Sequence, residues 1–366
     1  MDVIFCTLAT RSHLAHARVL ATSLARVKQD ARLHVLVVDA GQDEVPAAVP
    51  MAERLTLQDL DLHDRAAFCF QYTAFELCNA LKAPLLLELR RRYPATPIVY
   101  LDADIYCVGS LEPLLTALSG TSLLLTPHTS VDFPAEIPTL KTSVLLCAGA
   151  FNAGVLGIGC GPEADGFLAW WAAKLRHDCL RAIDEGLFVD QKFLDLVPCL
   201  FPGVSILRDD GVNVAWFNLH ARLVSRQGDT WFANERPLAL FHFTMFDGLA
   251  GTFDPSIQPD PLAKQPVLRG LAECYRQDLA AAGHEQLGRC SYGFGAFADG
   301  TPVLGETRRA FRSAWLQGSP VDDPFHSAEW MAWQQDFVLR SKRAERVRAW
   351  IGFAGRIRRT LRRYGV

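Results

Sequence analysis

Over the first 130 residues, short apolar runs alternate with segments of helical spacing, and this alternation is what most limits the folds open to the chain. Asp2–Leu8 is a short apolar run. Ser12–Val27 sets Leu14, Ala17, Val19, Leu20 and Leu24 at helical spacing, with Ser12 as the expected N-cap. Strand signals return at Leu33–Val38, Ile98–Leu101 and Ser122–Leu125, and helix signals at Phe75–Arg92, broken near Pro84, and Leu111–Leu118. The pattern predicts an α/β fold: a doubly wound, Rossmann-like, mainly parallel sheet with helices on both faces. Ligands of such sheets sit beyond the carboxyl ends of the strands. That rule points to Thr7–Arg11, Asp39 and Asp102–Asp104.

Downstream the signals mix. Strands are expected at 144–148 and 153–158, helices at 163–180 and 189–196, and short strands near 204–207 and 238–243. Residues 252–339 are rich in Pro, Gly and aromatics with little periodicity and read as a loop-rich extension. The expected organisation is a domain over 1–250, an extension over 251–339 and a tail over 340–366. Residues 142–162 carry no charge and are long enough to span a bilayer. Their Gly149, Asn152, Gly154, Gly157, Gly159 and Gly161 suit strands and tight turns better. Half of the 366 residues are apolar and 21% charged, a globular composition that excludes a disordered or fibrous chain.

The ten cysteines include no C-x-x-C pair, so neither a zinc ribbon nor a disulfide scaffold is indicated. Cys6, Cys107 and Cys147 lie in apolar runs as small hydrophobes. Met-Asp-Val-Ile-Phe has no basic lead and reads directly as a strand, so no signal peptide and a reduced, cytoplasmic setting are expected. The net charge of −3 conceals an asymmetry. From Arg340 onward ten Lys/Arg face one acid, Glu345. Within 346–364, Val347, Trp350, Ala354, Ile357, Leu361 and Tyr364 recur every three or four residues among arginines. That is a basic amphipathic helix suited to an anionic membrane surface, or alternatively a solvated helix packed on its own domain. No nucleic-acid partner is expected, since the arginines come without a recognition motif.

Val99-Tyr100-Leu101-Asp102-Ala103-Asp104 carries the most chemistry. Carboxylates at i and i+2 project toward one side as a buried strand ends. Two negative charges together at a sheet edge are expensive unless a cation joins them. Hard oxygen ligands suit Mn²⁺ or Mg²⁺, whereas the same two acids in a surface loop would simply be solvated. In Phe151-Asn152-Ala153-Gly154, Asn152 offers a donor and an acceptor to a sugar hydroxyl and Gly154 permits close backbone approach; taken alone, a β-turn with a capping Asn is the plainer reading. Asp190-Gln191 opens a helical segment, where an N-cap is the plain reading of Asp190. Asn213, Trp216 and Asn218 form a polar–aromatic cluster fit for a binding wall or a turn. His242, at the end of an apolar strand, reads by itself as a hydrogen-bonded core histidine, and His220 and Arg222 read as surface residues.

As an ordered set these pieces say more. Asp-x-Asp at 102, Phe-Asn-Ala-Gly at 151, Asp-Gln at 190 and His at 242 follow a first strand in an order that resembles the GT-A-fold glycosyltransferases of the family 8 type, the bacterial lipooligosaccharide galactosyltransferases and glycogenins. The resemblance covers about residues 1–245. It implies a metal held by Asp102, Asp104 and His242, and a donor-sugar pocket lined by Asn152 and Gly154. It implies Asp190 on the sugar hydroxyls, Gln191 facing the reacting side of the anomeric carbon, and Thr7 and Thr10 bordering the base and ribose. Lys82 is the nearest basic candidate for the diphosphate. Leu8 stands where the family usually has an acid, and Thr244-Met245-Phe246-Asp247-Gly248 replaces its usual Gly-x-x-Lys-Pro-Trp. Residues 292–312 resemble an extension of some bacterial polysaccharide glycosyltransferases, either acceptor-binding or a structural flap. The implied activity is transfer of a sugar, with retention, from a nucleotide-sugar donor (a UDP-sugar above all) to a glycan or glycolipid acceptor at the inner face of the plasma membrane. Two alternatives stand beside it: a non-catalytic binding or scaffolding protein at the membrane, and a sugar-nucleotidyltransferase. The latter lacks a Gly-rich basic loop after the first strand.

Overall fold

The apolar opening run becomes the central strand β1 (Ile4–Ala9), every residue of which is buried, as a parallel strand covered on both faces must be. The computed structural model describes residues 2–40, 49–133, 140–319 and 323–342. The tail helix expected at 346–364 lies outside them. The strands that follow are β2 (Arg32–Val37), β3 (Ala52–Leu55), β4 (Ile98–Leu101), β5 (Ile105–Cys107), β6 (Leu123–Pro127) and β7 (Phe151–Ile158). The main sheet has seven strands in the order β3-β2-β1-β4-β7-β6, closed by Val204–Ile206. All neighbours run parallel except the two pairs made by β7. The mainly parallel α/β sheet expected from the alternation is therefore the fold. Leu14–Val27 buries Leu14, Ala17, Leu20, Ala21 and Leu24 in a core shared with Phe5, Val35, Val99 and Leu114.

Several local expectations are corrected. Ser12 is not an N-cap: it lies within a 3-10 turn, Arg11–His13, ahead of the α-helix. The break in the 75–92 helix falls at Leu81, between Ala74–Ala80 and Lys82–Arg92. Pro84 lies in the first turn after it, where a missing N–H costs little. The strand expected at 144–148 is a helix, Leu140–Ala148, closed where Gly149 (φ 116°) donates its N–H to Leu145 O. Both edges of β7 are taken by β4 and β6, and a short apolar run does not by itself distinguish strand from helix. The 252–339 stretch is not loop-rich throughout: Leu268–Ala281 and Gly305–Leu316 are helices, and 328–342 is helical. The first buries Leu268, Leu271, Ala272, Tyr275 and Leu279, a helical spacing that intervening charges obscure.

The chain forms two compact units, residues 1–63 with 74–293, and residues 64–73 with those from 294 on. The first holds the sheet and every candidate site residue. In the second, the Phe70 ring meets those of Phe297, Phe311 and Phe325. The buried Arg308 guanidinium donates to Phe70 O, Tyr72 O and Phe294 O at 2.8, 2.9 and 2.6 Å. Among the described residues no helix is long and apolar enough to cross a membrane.

Candidate functional site

Three strands deliver the Asp-x-Asp pair and the histidine to one place. After β4, Asp102 N donates to Gly154 O (2.8 Å) and Ile105 N to Asp102 O (3.0 Å), which turns the chain into β5. β5 pairs antiparallel with Leu240–His242, setting His242 opposite Ile105, and Phe243 N closes onto Asp104 O at 2.9 Å. The register therefore puts His242 Nε2 3.1 Å from Asp104 Oδ1 and 3.8 Å from Asp102 Oδ2. One ligand atom from each of the three residues lies within 4.8 Å of the others, and among the described residues this is the one such group of three or more His, Cys, Asp or Glu. The carboxylates are 27% and 30% exposed and the imidazole 3%, so the group is walled on the histidine side and open on the acid side.

The electrostatics follow. Burial raises the Asp104 carboxyl, but the facing His242 more than offsets it and brings it down to about 2. Burial lowers His242, and Asp104 followed by Asp102 lifts it above its ordinary value. Two hard oxygens and one imidazole, mutually close and partly exposed, are a donor set that fits a hard divalent cation.

Gly154 is shaped by this group. A Cβ there would lie 2.5 Å from His242 Cε1, 2.8 Å from Asp102 Oδ2 and 2.8 Å from Asn152 Oδ1. It reaches this position through an irregularity: Leu125 pairs with Leu156 but Thr126 with Asn152. β7 thus carries extra residues between the two pairings, a bulge of the kind that re-aims side chains beside sites. Asn152 and Gly154 lie in a strand, not in a turn.

On the other side of Asp102 sits Lys82. Its ammonium is 3.2 Å from Asp102 Oδ1, 3.0 Å from Asp190 Oδ2 and 3.2 Å from Ala153 O, and it lies over the Tyr100 ring. Burial lowers the amine, and the two carboxylates reverse this and hold it above its ordinary value. Asp190 is raised by burial against the opposing pull of Lys82. Asp190 occupies the N-cap position of Gln191–Leu196, yet its side chain makes no capping bond; the carboxylate is turned to Lys82 instead. Gln191 is half-buried and donates Nε2 to Ala148 O at 3.0 Å.

Around this centre, the Thr7 hydroxyl is buried without a hydrogen-bond partner, and Thr10 Oγ1 is 2.9 Å from Ser12 Oγ and 3.1 Å from His13 Nδ1. Asp39 accepts from Arg11 N (2.7 Å) and Gly293 N (3.1 Å), so it fastens the loop after β1. Asn213 is buried with Oδ1 3.2 Å from His242 Nδ1. Sequence reading missed Tyr100, whose hydroxyl donates to Asp102 Oδ1 at 2.7 Å, and Thr126, which receives Asn213 Nδ2 at 3.0 Å. Arg222 is corrected from surface to buried, 3% exposed, with Nη1 on Val212 O and Asn213 O. Tyr100 lies in the hexapeptide already singled out, so its spacing from Asp102 was a usable signal. Arg222 had none.

No family model matches the chain. It is 24% identical over 258 residues to the uncharacterised protein YfnF of Bacillus subtilis (strain 168), covering 67% of this chain and 82% of that one. It is 25% identical over 251 residues to YfnD of the same organism, with 66% and 77% covered. Among solved structures it resembles the galactosyltransferase LgtC, crystallised with donor and acceptor sugar analogues, at a TM-score of 0.41 and 18% identity over 77% of this chain and 96% of that one.

Proposed function

We propose that the chain is a metal-dependent, retaining glycosyltransferase that moves a sugar from a nucleotide-sugar donor, a UDP-sugar first, to a glycan or glycolipid acceptor in surface-polysaccharide assembly. The observation that carries this reading is the Asp102–Asp104–His242 group beside the buried Lys82–Asp190 pair, at the carboxyl end of the central strands. Asp102, Asp104 and His242 would hold Mn²⁺ or Mg²⁺, which, when bound, supplies Lewis-acid neutralisation of the charge that develops on a leaving diphosphate.

The chain's own residues do the rest. Lys82 spends its ammonium on Asp102, Asp190 and Ala153 O, so in this arrangement it sets the spacing of two carboxylates. Asp190 is held as a hydrogen-bond acceptor for sugar hydroxyls; paired and buried, it is poorly placed as a free nucleophile. Gln191, tied through Nε2, offers its carbonyl oxygen toward the reacting carbon. In the front-face route that suits this set, the sugar–phosphate bond breaks, the acceptor oxygen bonds to the same face, and its proton passes to the departing diphosphate. Thr7 and Thr10 border the nucleotide. The tail at 346–364 keeps the enzyme on the anionic inner membrane surface, and its deletion is expected to abolish co-sedimentation with anionic liposomes.

Thermal shift with UDP, GDP, CMP and dTDP, each with and without Mn²⁺, tests the reading. A hundredfold excess over Kd stabilises the native state by about 2.7 kcal/mol, so a metal-dependent shift with one nucleotide is expected, UDP first. Asp104→Asn is expected to remove that shift together with turnover. Full turnover in this variant, or no metal-dependent shift with any nucleotide, would refute the proposal.

A further inference from the structure

The imidazole of His242 can serve a cation through Nε2 only if its proton sits on Nδ1, and the structure contains a chain of hydrogen bonds that decides this. The chain starts at a group that can only donate, the backbone N–H of Gly154, which lies 3.0 Å from Asn152 Oδ1. That contact fixes the Asn152 amide with its oxygen toward Gly154. Asn213 Nδ2 lies 3.1 Å from the same oxygen and 3.0 Å from Thr126 Oγ1, so both of its hydrogens are placed and its own amide is oriented in turn. Its Oδ1 then faces His242 Nδ1 at 3.2 Å. An amide oxygen accepts and cannot donate, so Nδ1 must carry the proton. Nδ1 is thereby committed, so Nε2, 3.1 Å from Asp104 Oδ1 and 3.8 Å from Asp102 Oδ2, is the nitrogen that gives up its proton and turns a lone pair to a cation.

The backbone of Asn213 is held as firmly as its side chain. It sits at φ 56°, in the left-handed region that Asn tolerates better than most residues. Its carbonyl accepts from Asn218 Nδ2 at 2.9 Å and Arg222 Nη1 at 3.1 Å, and the neighbouring Val214 pairs with the histidine strand through Leu240 O (3.0 Å) and His242 N (2.8 Å). Asn213 and Asn218 are each 1% exposed and Arg222 3%.

We infer that Asn213 is a positioning residue for metal binding. It transmits the polarity of the Gly154 N–H through Asn152 to His242 and fixes the imidazole tautomer that leaves Nε2 free for a divalent cation. This rests on the metal reading of the Asp102–Asp104–His242 group. Partners behind a metal-bound histidine typically change affinity ten- to a hundredfold when removed.

The test uses the full chain freed of metal, with Mn²⁺ alone as probe and bound ion read by electron paramagnetic resonance. Asn213→Gly keeps the left-handed backbone accessible and deletes the amide; Mn²⁺ is expected to bind about ten- to a hundredfold more weakly. Asn213→Asp restores an acceptor for Nδ1 and is expected to recover most of the loss. A second measurement needs no variant fold: long-range ¹H–¹⁵N correlation on the Mg²⁺-saturated wild type, with His242 assigned by comparison with His242→Gln, should show a protonated Nδ1 and an unprotonated Nε2. Wild-type Mn²⁺ affinity in Asn213→Gly, Asn213→Asp as weak as Asn213→Gly, or a proton on Nε2 would each overturn the inference. A wild type that binds no Mn²⁺ overturns the metal reading instead.

Discussion

Replacing Lys82 by Met removes the cation that bridges Asp102 and Asp190, and the structure sets how the loss divides. The Asp190 side chain is 2% exposed and Asp102 27%. Water screens Asp102 in part, and Tyr100 still donates to it, so the uncompensated charge falls mainly on Asp190. Breaking a buried pair from one side costs about 3–5 kcal/mol. Solvent at Asp102 puts Lys82→Met near the low end, about 3 kcal/mol. Asp190→Asn removes the charge that suffers, so adding it to Lys82→Met should cost much less than its own single effect. A coupling of about 2 kcal/mol is expected, within the range for residues in one network. The assay is urea unfolding of the two singles and the double in metal-free buffer, with the slope checked for constancy so that midpoints report stability alone. Singles that add to the double within about 0.5 kcal/mol would refute a shared, buried ammonium.

Two further outcomes follow from the geometry. Gly154→Ala drives a methyl toward His242 Cε1 and Asp102 Oδ2; it should cost about 1–3 kcal/mol as overpacking and weaken Mn²⁺ binding at least about tenfold as the ligands part, and an unchanged Mn²⁺ titration would show that the three residues do not work as one site. Burial holds His16 down to about 3 and His128 down to about 4, so both stay neutral in the folded chain while the unfolded chain takes up protons near pH 6.5. Their stabilisation is complete above that pH and is lost as pH falls, by up to about 1.4 kcal/mol per pH unit for each. His242, raised in the folded state, works in the opposite sense and offsets part of this. Unfolding midpoints at pH 7.5, 6 and 5 should fall in that order, with a shallower decline in His16→Gln; a flat profile would contradict the burial argument.

What the sequence made legible is what local pattern encodes. Ile98–Leu101 is a strand as read, and the acids that follow it are brought together because carboxylates at i and i+2 after a strand share a side. His242 could be ordered with them but not placed, because its position depends on pairing with Ile105, far away in the chain. The extra residues of β7 left no mark, since Phe-Asn-Ala-Gly suits a turn as well as a bulged strand. Asn213 looked like a wall for a ligand. Its work with Thr126, Asn152 and His242 joins residues 87, 61 and 29 positions apart, and no window on the sequence spans them. Arg222 failed for the opposite reason, because a charged residue is assumed exposed unless its partners are known, and here they are backbone carbonyls together with Asp210.

The second unit is threaded rather than appended. Its aromatic centre is completed by Phe70, from a ten-residue detour between His63 and Ala74, and Arg308 ties that detour to the C-terminal segment through the Phe70, Tyr72 and Phe294 carbonyls. A stop codon after Gly293 would therefore not yield a cleanly trimmed protein. It would leave Ala67 and Phe70 stripped of their cover and the Phe70 and Tyr72 carbonyls without the Arg308 guanidinium, an apolar loop left exposed. Removing or grafting this module therefore calls for cuts on each side of residues 64–73 as well as after Gly293, so a chimera built on one C-terminal junction would fail for want of a folded second unit.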